Sequence, residues 1–270
     1  MSLKVVQVDA FTDRPFGGNP AAVCITPSPI AAEKMQAIAA EMNLSETVFL
    51  YPLGSSDADG FSIRWFTPAT EVALCGHATL ASAHVLWSEG YLSADTAIKF
   101  KSQSGWLGAQ LKDGWIELDF PAQPTHPTHV MPQLITSLCC QGDIRTVTKS
   151  EVNYLVETHS EQSVREMTPN FAALQKLPVQ GVIVTAAAEN APYDFVSRYF
   201  APAAGINEDP VTGSAHTSLA PYWQEKLGKS TMIAQQVSKR GGVIKVSCTD
   251  QGRVLISGQA VTVLKGELLV

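Results

Sequence analysis

Arg64-Trp65-Phe66-Thr67-Pro68, followed after a short loop by Cys75-Gly76-His77-Ala78-Thr79, is the stretch that decides the fold of this chain. The pattern returns as Arg198-Tyr199-Phe200-Ala201-Pro202 and, after a slightly longer loop, Thr212-Gly213-Ser214-Ala215-His216. Each copy reads as an aromatic strand, a proline-marked loop and a helix that starts at glycine and runs on through small residues. Chance likeness between two strand–loop–helix segments is the plain alternative. Arg-aromatic-Phe-x-Pro and x-Gly-polar recurring in the same order favour a duplicated unit.

Reading outward, the first small-residue helix runs from about Gly76 to Glu89 and stops at Gly90. Its segment HATLASAHVLW is apolar nearly all round, which places it in the middle of a domain. VVQVDAF, AAVCIT, ETVFLY, FSIRWF and IKFKS read as strands, and Ala31–Met42 as a helix with Met35, Ile38, Ala39 and Met42 at helical spacing. WLGAQL and WIELDF form a hairpin about Lys112-Asp113-Gly114. The proline-rich PAQPTHPTHVMP then reads as a linker, dividing the chain into 1–120 and 121–259. In the second half TVTKS, YLVET, GVIVTAA, FVSRYF, VIKVS, RVLISG and AVTVLK read as strands. Helices are expected near Pro132–Cys140, Val164–Lys176 and Gly213–Leu227. The last strand, within 260–270, could cross back to the first half. The fold class expected is α+β, with two pseudo-symmetric halves and the site between them.

Bulk properties narrow the function. The net charge of −6 is spread along the 270 residues, so no basic stripe exists to neutralise phosphates, and nucleic acid is not an expected partner. No run approaches the roughly 18 apolar residues of a membrane span, and the N-terminus reads as a strand rather than a signal peptide. The five cysteines are odd in number and include no C-x-x-C, which reads as a reduced, cytoplasmic chain. No phosphate loop or dinucleotide fingerprint is present. His126 and His129 lie in the linker without further ligands nearby in sequence, so no metal and no cofactor are expected.

The two helix starts carry the chemistry. The first N–H groups of a helix lack partners within it and carry partial positive charge, which makes such an end an anion site. Gly76 and Gly213 would let a ligand approach that backbone closely. Ordinary capping by Thr212 or Ser214 is the alternative. Glu46 lies between a helix and the apolar VFLY strand, where partial desolvation would suit proton transfer. Asp209, ahead of the second helix start, could bond a substrate hydroxyl or amine, hold a partner side chain, or merely open the Asp-Pro turn. His77 takes the matching place in the first half.

Taken together, these blocks resemble the phenazine-biosynthesis (PhzF) family. The resemblance is carried by Asp9-Ala10-Phe11, Phe16-Gly17-Gly18-Asn19-Pro20-Ala21-Ala22-Val23, Met42-Asn43-Leu44-Ser45-Glu46-Thr47, Arg64-Trp65-Phe66-Thr67-Pro68 with Leu74-Cys75-Gly76-His77-Ala78-Thr79, and Glu208-Asp209-Pro210-Val211-Thr212-Gly213-Ser214-Ala215-His216. They come in the family's order from the first strand to the last large helix, most like the branch of phenazine biosynthesis-like domain-containing proteins. The resemblance implies the diaminopimelate-epimerase fold, each half a curved, barrel-like sheet around one central helix. It implies a cofactor-independent isomerase with Glu46 moving a proton on a small carboxylate-bearing substrate. His77 and Asp209 would support catalysis, and Asn19, Gly76, Gly213 and Ser214 would bind substrate. A homodimer is compatible with it. Racemase relatives of this fold use opposed cysteines at the two helix starts. This chain has Cys75 at one and Thr212 at the other, whose hydroxyl pKa is far too high for that role, and Cys75 reads as small and buried. An amino- or hydroxy-acid racemase, and a binding protein that merely keeps the fold, are the remaining readings.

Overall fold

The computed structural model describes residues 2–54, 59–140 and 142–269. The chain divides into two units, Met1–Phe120 together with Ser257–Val270, and Pro121–Ile256. In chain order come β1 (Ser2–Ala10), β2 (Asn19–Ile25), α1 (Ala32–Met42), β3 (Glu46–Pro52), β4 (Phe61–Phe66), β5 (Glu71–Val72), α2 (Gly76–Ser88), β6 (Ile98–Ser102), β7 (Gly105–Lys112) and β8 (Trp115–Pro121). There follow β9 (His126–Pro127), α3 (Pro132–Leu138), β10 (Ile144–Lys149), β11 (Asn153–Thr158), α4 (Glu161–Glu166), α5 (Phe171–Leu174), β12 (Gly181–Ala187), β13 (Phe195–Ala201) and β14 (Ile206–Asp209). The chain closes with α6 (Gly213–Leu227), β15 (Thr231–Gln236), β16 (Gly242–Cys248), β17 (Arg253–Gly258) and β18 (Ala260–Leu269).

The duplication is visible in strand pairing. In the first unit β1–β2 is antiparallel, β2–β3 parallel, β3–β4 and β4–β5 antiparallel, β4–β6 parallel and β6–β7 antiparallel. In the second unit β10–β11, β11–β12, β12–β13, β13–β14, β13–β15 and β15–β16 repeat that order step for step. The repeated Arg-aromatic-Phe belongs to this plan. Arg64 on β4 donates to both carboxylate oxygens of Glu71 on β5, at 2.7 and 2.8 Å, with its guanidinium 5.2 Å from the Phe66 ring centre. Arg198 does the same to Glu208, at 2.7 and 2.9 Å, lying 4.8 Å from the Phe200 ring centre. A planar fork that both pairs a carboxylate and stacks on a ring is a job for arginine and not for lysine.

Each unit wraps its strands around one helix. In α2, His77 through Ala83, Val85 and Leu86 are buried, and the helix packs against β1, β2, β3, β7 and β18. Its hydroxyls do not strand polar groups there, because Thr79 and Ser82 donate back to the carbonyls of Cys75 (2.6 Å) and Ala78 (2.8 Å). α6 buries Ala215 through Ala220 in the same way, and Trp223 stacks on Phe195 with ring centres 5.6 Å apart. β18 pairs antiparallel with β1 from Ser2↔Leu269 to Ala10↔Ala260, and Thr262 Oγ1 lies 3.0 Å from His84 Nε2 of α2. No described helix is long and apolar enough to cross a membrane.

Several local expectations need correction. The helix expected over Val164–Lys176 is two short ones, α4 and α5, separated by Pro169, which has no N–H to continue the ladder. Asn170 restarts the second by accepting from the Ala173 N–H at 3.0 Å. The supposed linker is tied down. Its β9 pairs with β10, and the Ala122 and Gln123 N–H groups each donate over 3.0 Å, to Gly252 and Thr217. The short strands β5 and β14, and the polar strand β15, carried too weak a pattern to be read.

Candidate active site

In the first unit, three turns bring the reading's principal residues together. The parallel strands β2 and β3 begin side by side, with Ala21 opposite Glu46. Asn43 ends α1 in the left-handed conformation, φ 50°, and the short turn after it delivers Glu46 as the first residue of β3. Ahead of β2, the buried Asp9 carboxylate accepts the Phe16 N–H at 2.7 Å. Gly18 sits at φ +59°, where a Cβ would lie 2.0 Å from the Ala10 carbonyl oxygen, so glycine is required beside Asn19. The third turn, with Cys75 extended at the N-cap of α2, presents His77.

His77 is the hub. Its Nε2 lies 3.0 Å from Glu46 Oε2, an ion-pair distance without the alignment of a full hydrogen bond. On the other side of the ring, Nδ1 lies 3.2 Å from Asn19 Nδ2 and 3.4 Å from Cys75 Sγ. With the Asn19 amide donating, Nδ1 is the acceptor and Nε2–H faces Glu46; this tautomer follows from the network. A protonated ring needs Nδ1 to donate instead, to sulfur or to the amide oxygen after the amide turns over. The ring is sealed from solvent, while the Glu46 side chain keeps 16% of its surface, although its Oε2 is buried against the ring.

Burial works against a charged His77, but Cys75 and Glu46 outweigh it and hold the imidazole pKa well above its ordinary value. The Cys75 thiol is itself pushed up to about 11, first by burial and then by Glu46. Glu46 thus acts on both groups, raising the thiol and the imidazole alike.

The second unit carries the other residues of the reading. Asp209, buried at the end of β14, accepts the Thr212 hydroxyl in a short hydrogen bond. Gln236 locks this turn: its Oε1 accepts the Thr212 N–H at 2.9 Å and its Nε2 donates to the Asp209 carbonyl at 2.8 Å. Gly213 is buried and Ser214 exposed at the first turn of α6. Neither Cys75 nor Thr212 makes a side-chain capping bond, so capping by Thr212 does not account for the second start. His216 gives Nδ1–H to the Thr212 carbonyl at 2.8 Å. Burial pushes its pKa down to about 4, only partly offset by that carbonyl, so the ring is neutral at ordinary pH.

The paired arginines fix the correspondence between copies. Glu71 matches Glu208 and Cys75 matches Thr212, so His77 matches Ser214 and Asp209 matches Val72. His77 is thus not the counterpart of Asp209. Two contributors escaped the sequence. Gln236 sits on the unread β15, and the contact of Cys75 with His77 was hidden behind its expected role as a small buried residue. That contact also completes a donor group: Glu46, Cys75 and His77 offer an oxygen, a sulfur and a nitrogen within 4.8 Å of one another. It is assembled across the gap from Glu46 to Cys75, so no local spacing announces it.

Known proteins resemble this chain over nearly its whole length. A family model described as phenazine biosynthesis-like protein matches residues 8–266. A protein of Halalkalibacterium halodurans named as an uncharacterized isomerase is 51% identical over 271 residues, covering 100% of both chains. Phenazine biosynthesis-like domain-containing protein 1 of Mus musculus is 44% identical, with 99% of each chain covered. The crystal structure of a phenazine biosynthesis protein of the PhzF family from Enterococcus faecalis superposes with a TM-score of 0.93 at 40% identity, over 100% of both chains.

Proposed function

Because the chain belongs to the phenazine biosynthesis-like (PhzF) family, with its α+β, diaminopimelate-epimerase-like fold, we propose that it is an isomerase. In this reading it moves a proton on a small carboxylate-bearing substrate without a cofactor, and Glu46 is the acid/base. The observation that carries the proposal is the contact of Glu46 with His77, made between the first residue of a strand and the first turn of a buried helix. The carboxylate takes a proton from one carbon and returns it to another. His77 holds it in position and offsets its charge, and Asn19 fixes the ring. The uncapped first turn of α2, at Gly76, offers backbone N–H groups to the substrate carboxylate. Gly213 and Ser214 are assigned to substrate binding and Asp209 to a supporting catalytic role; the Thr212 hydrogen bond sets the orientation of the Asp209 carboxylate.

A racemase with two thiol acid/bases is disfavoured, because the counterpart of Cys75 is a threonine whose hydroxyl is already given to Asp209. Turnover and ligand affinity measured on one Glu46→Gln preparation test the proposal. The variant keeps shape and hydrogen-bonding capacity but cannot accept the proton, so turnover falls while affinity stays. Normal turnover would remove Glu46 from the mechanism, and lost affinity with unchanged saturated turnover would make it a binding residue. Aromatic and aliphatic hydroxy-carboxylates are the first compounds to screen.

A further inference from the structure

We propose that Gln236 is a positioning residue for the reaction: it dictates the direction of the Thr212 hydroxyl and, through it, holds the Asp209 carboxylate in one orientation. The inference rests on the catalytic role given to Asp209 above. Gln236 ends β15 and is wholly buried, and Asp209 and Thr212 are buried with it. The amide fits only one way round. Its Oε1 meets the Thr212 N–H, which only donates, and its Nε2 meets the Asp209 carbonyl, which only accepts. The second Nε2 proton then falls to Thr212 Oγ1, at 3.2 Å. With that oxygen receiving a proton from the amide, the hydroxyl turns its own proton to Oδ2 of the Asp209 carboxylate. Amide, hydroxyl and carboxylate thus form a one-way chain, in surroundings where an unmade hydrogen bond is costly.

The duplication separates this chain of bonds from what the fold requires. With Phe66 matched to Phe200, Phe61 falls on Phe195. Their partners Phe100 and Ala234 then match, and Ser102 of β6 falls on Gln236 of β15. Two residues on, the copies agree. The Ser104 hydroxyl donates to the Ala73 carbonyl at 2.8 Å, and the Ser238 hydroxyl to the Pro210 carbonyl at 2.7 Å. That anchor belongs to the fold. At the matched position itself the copies part, because Ser102 donates to Gly105 inside its own hairpin, at 2.8 Å. A helix start of this plan is therefore built without the amide. Of the two starts, the one that carries it follows Asp209, and the first copy has Val72 where that carboxylate stands.

A mutant cycle with a kinetic and a spectroscopic readout tests this. Gln236→Met keeps the length of the side chain without its polar atoms, Thr212→Val keeps the shape without the hydroxyl, and Thr212→Ser restores the hydroxyl. In protein with native circular dichroism, Gln236→Met should lower kcat about tenfold while KM changes far less. Thr212→Val should match it, the double variant should lose no more than either, and Thr212→Ser should recover most of the rate. Ser238→Ala removes the anchor common to both copies and should lower stability while leaving kcat nearly unchanged. Losses that multiply in the double variant, full turnover in Gln236→Met, or an equal fall in kcat from Ser238→Ala would overturn the proposal. The spectroscopic readout needs no substrate. In threonine-labelled protein, the Thr212 hydroxyl proton, identified by its loss in Thr212→Val, should resonate downfield and exchange slowly with water. In Gln236→Met it should move upfield and exchange faster. A signal unchanged in Gln236→Met would show that the amide does not direct the hydroxyl. If Asp209→Asn keeps full turnover while Gln236→Met still frees the hydroxyl, the catalytic role of Asp209 falls and the hydrogen-bonded chain stands.

Discussion

The starts of α2 and α6 are built on one plan and charged in opposite ways. Each follows a short return strand whose glutamate is gripped by an arginine stacked on phenylalanine, and each buries a histidine close to the helix start. His77 faces Cys75 and the Glu46 carboxylate and its pKa is raised; His216 faces a peptide carbonyl and its pKa is pushed down to about 4 by burial. Burial is complete at both, so the partner decides the outcome. A carboxylate stabilises an imidazolium by charge, whereas one carbonyl dipole does not repay its desolvation. Duplication supplied two equivalent helix starts, and the first sets a buried histidine against a carboxylate where the second sets one against a peptide carbonyl.

The largest expected effect tests that asymmetry directly. Glu46→Gln should lower turnover by about 10²–10⁴-fold, the scale of general acid–base catalysis, and Glu46→Asp should also be poor because the carboxylate retreats by one methylene. Asp209→Asn should cost less; an equal loss would show the two starts to be equal partners.

Next comes the pH dependence of stability. A histidine whose pKa falls from about 6.5 unfolded to about 4 folded gives stability that is complete above the unfolded value and is lost as pH falls towards the folded one. The loss is about 3 kcal/mol. Urea unfolding near neutrality and near pH 4 should therefore show a smaller acid loss in His216→Gln than in the parent. His77 has the opposite sign. Its contribution is present below about 6.5, persists through neutrality, and is lost only as pH rises through the raised folded value.

The matched arginines sharpen the comparison further. Arg198 is the more buried, 12% against 27% exposed, and also donates to the Val164, Arg165 and Met167 carbonyls. Arg198→Ala should cost about 2 kcal/mol in chemical denaturation. Arg64→Ala should cost about 1 kcal/mol, and equal costs would mean that those carbonyls add nothing. The smallest effect is expected at Cys75→Ala, where turnover should fall less than about tenfold, or about 1.4 kcal/mol of barrier. Complete loss with native circular dichroism would revive a thiol mechanism.

The sequence showed what was written in local pattern. The two copies of Arg-aromatic-Phe-x-Pro revealed the duplication because arginine, ring and glutamate lie close together in the chain. The all-round apolar α2 announced its own burial. The Asp113-Gly114 turn of the β7–β8 hairpin was legible because both residues adopt positive φ there, 49° and 76°. What stayed hidden depends on partners far along the chain. Gln236 looks like any polar residue until β15 lays it beside Thr212, and Cys75 until α2 sets His77 against it. The break between α4 and α5 was missed although Pro169 marks it, because apolar spacing on both sides kept a helical period.

The return of β18 has a consequence for how the molecule is made. β1 has β2 on one side and β18 on the other, so its second edge stays open until residues 260–269 have been synthesised. The 136 residues from Pro121 to Ile256 are translated in between, which at about 5–20 residues per second takes roughly 7–27 s. During that interval the nascent chain carries a long strand rich in valine with one unpaired edge, the arrangement that recruits other strands. The unit bearing Glu46 is begun first on the ribosome and completed last, so its yield in the cell depends on what shields that edge while the second unit is still being translated.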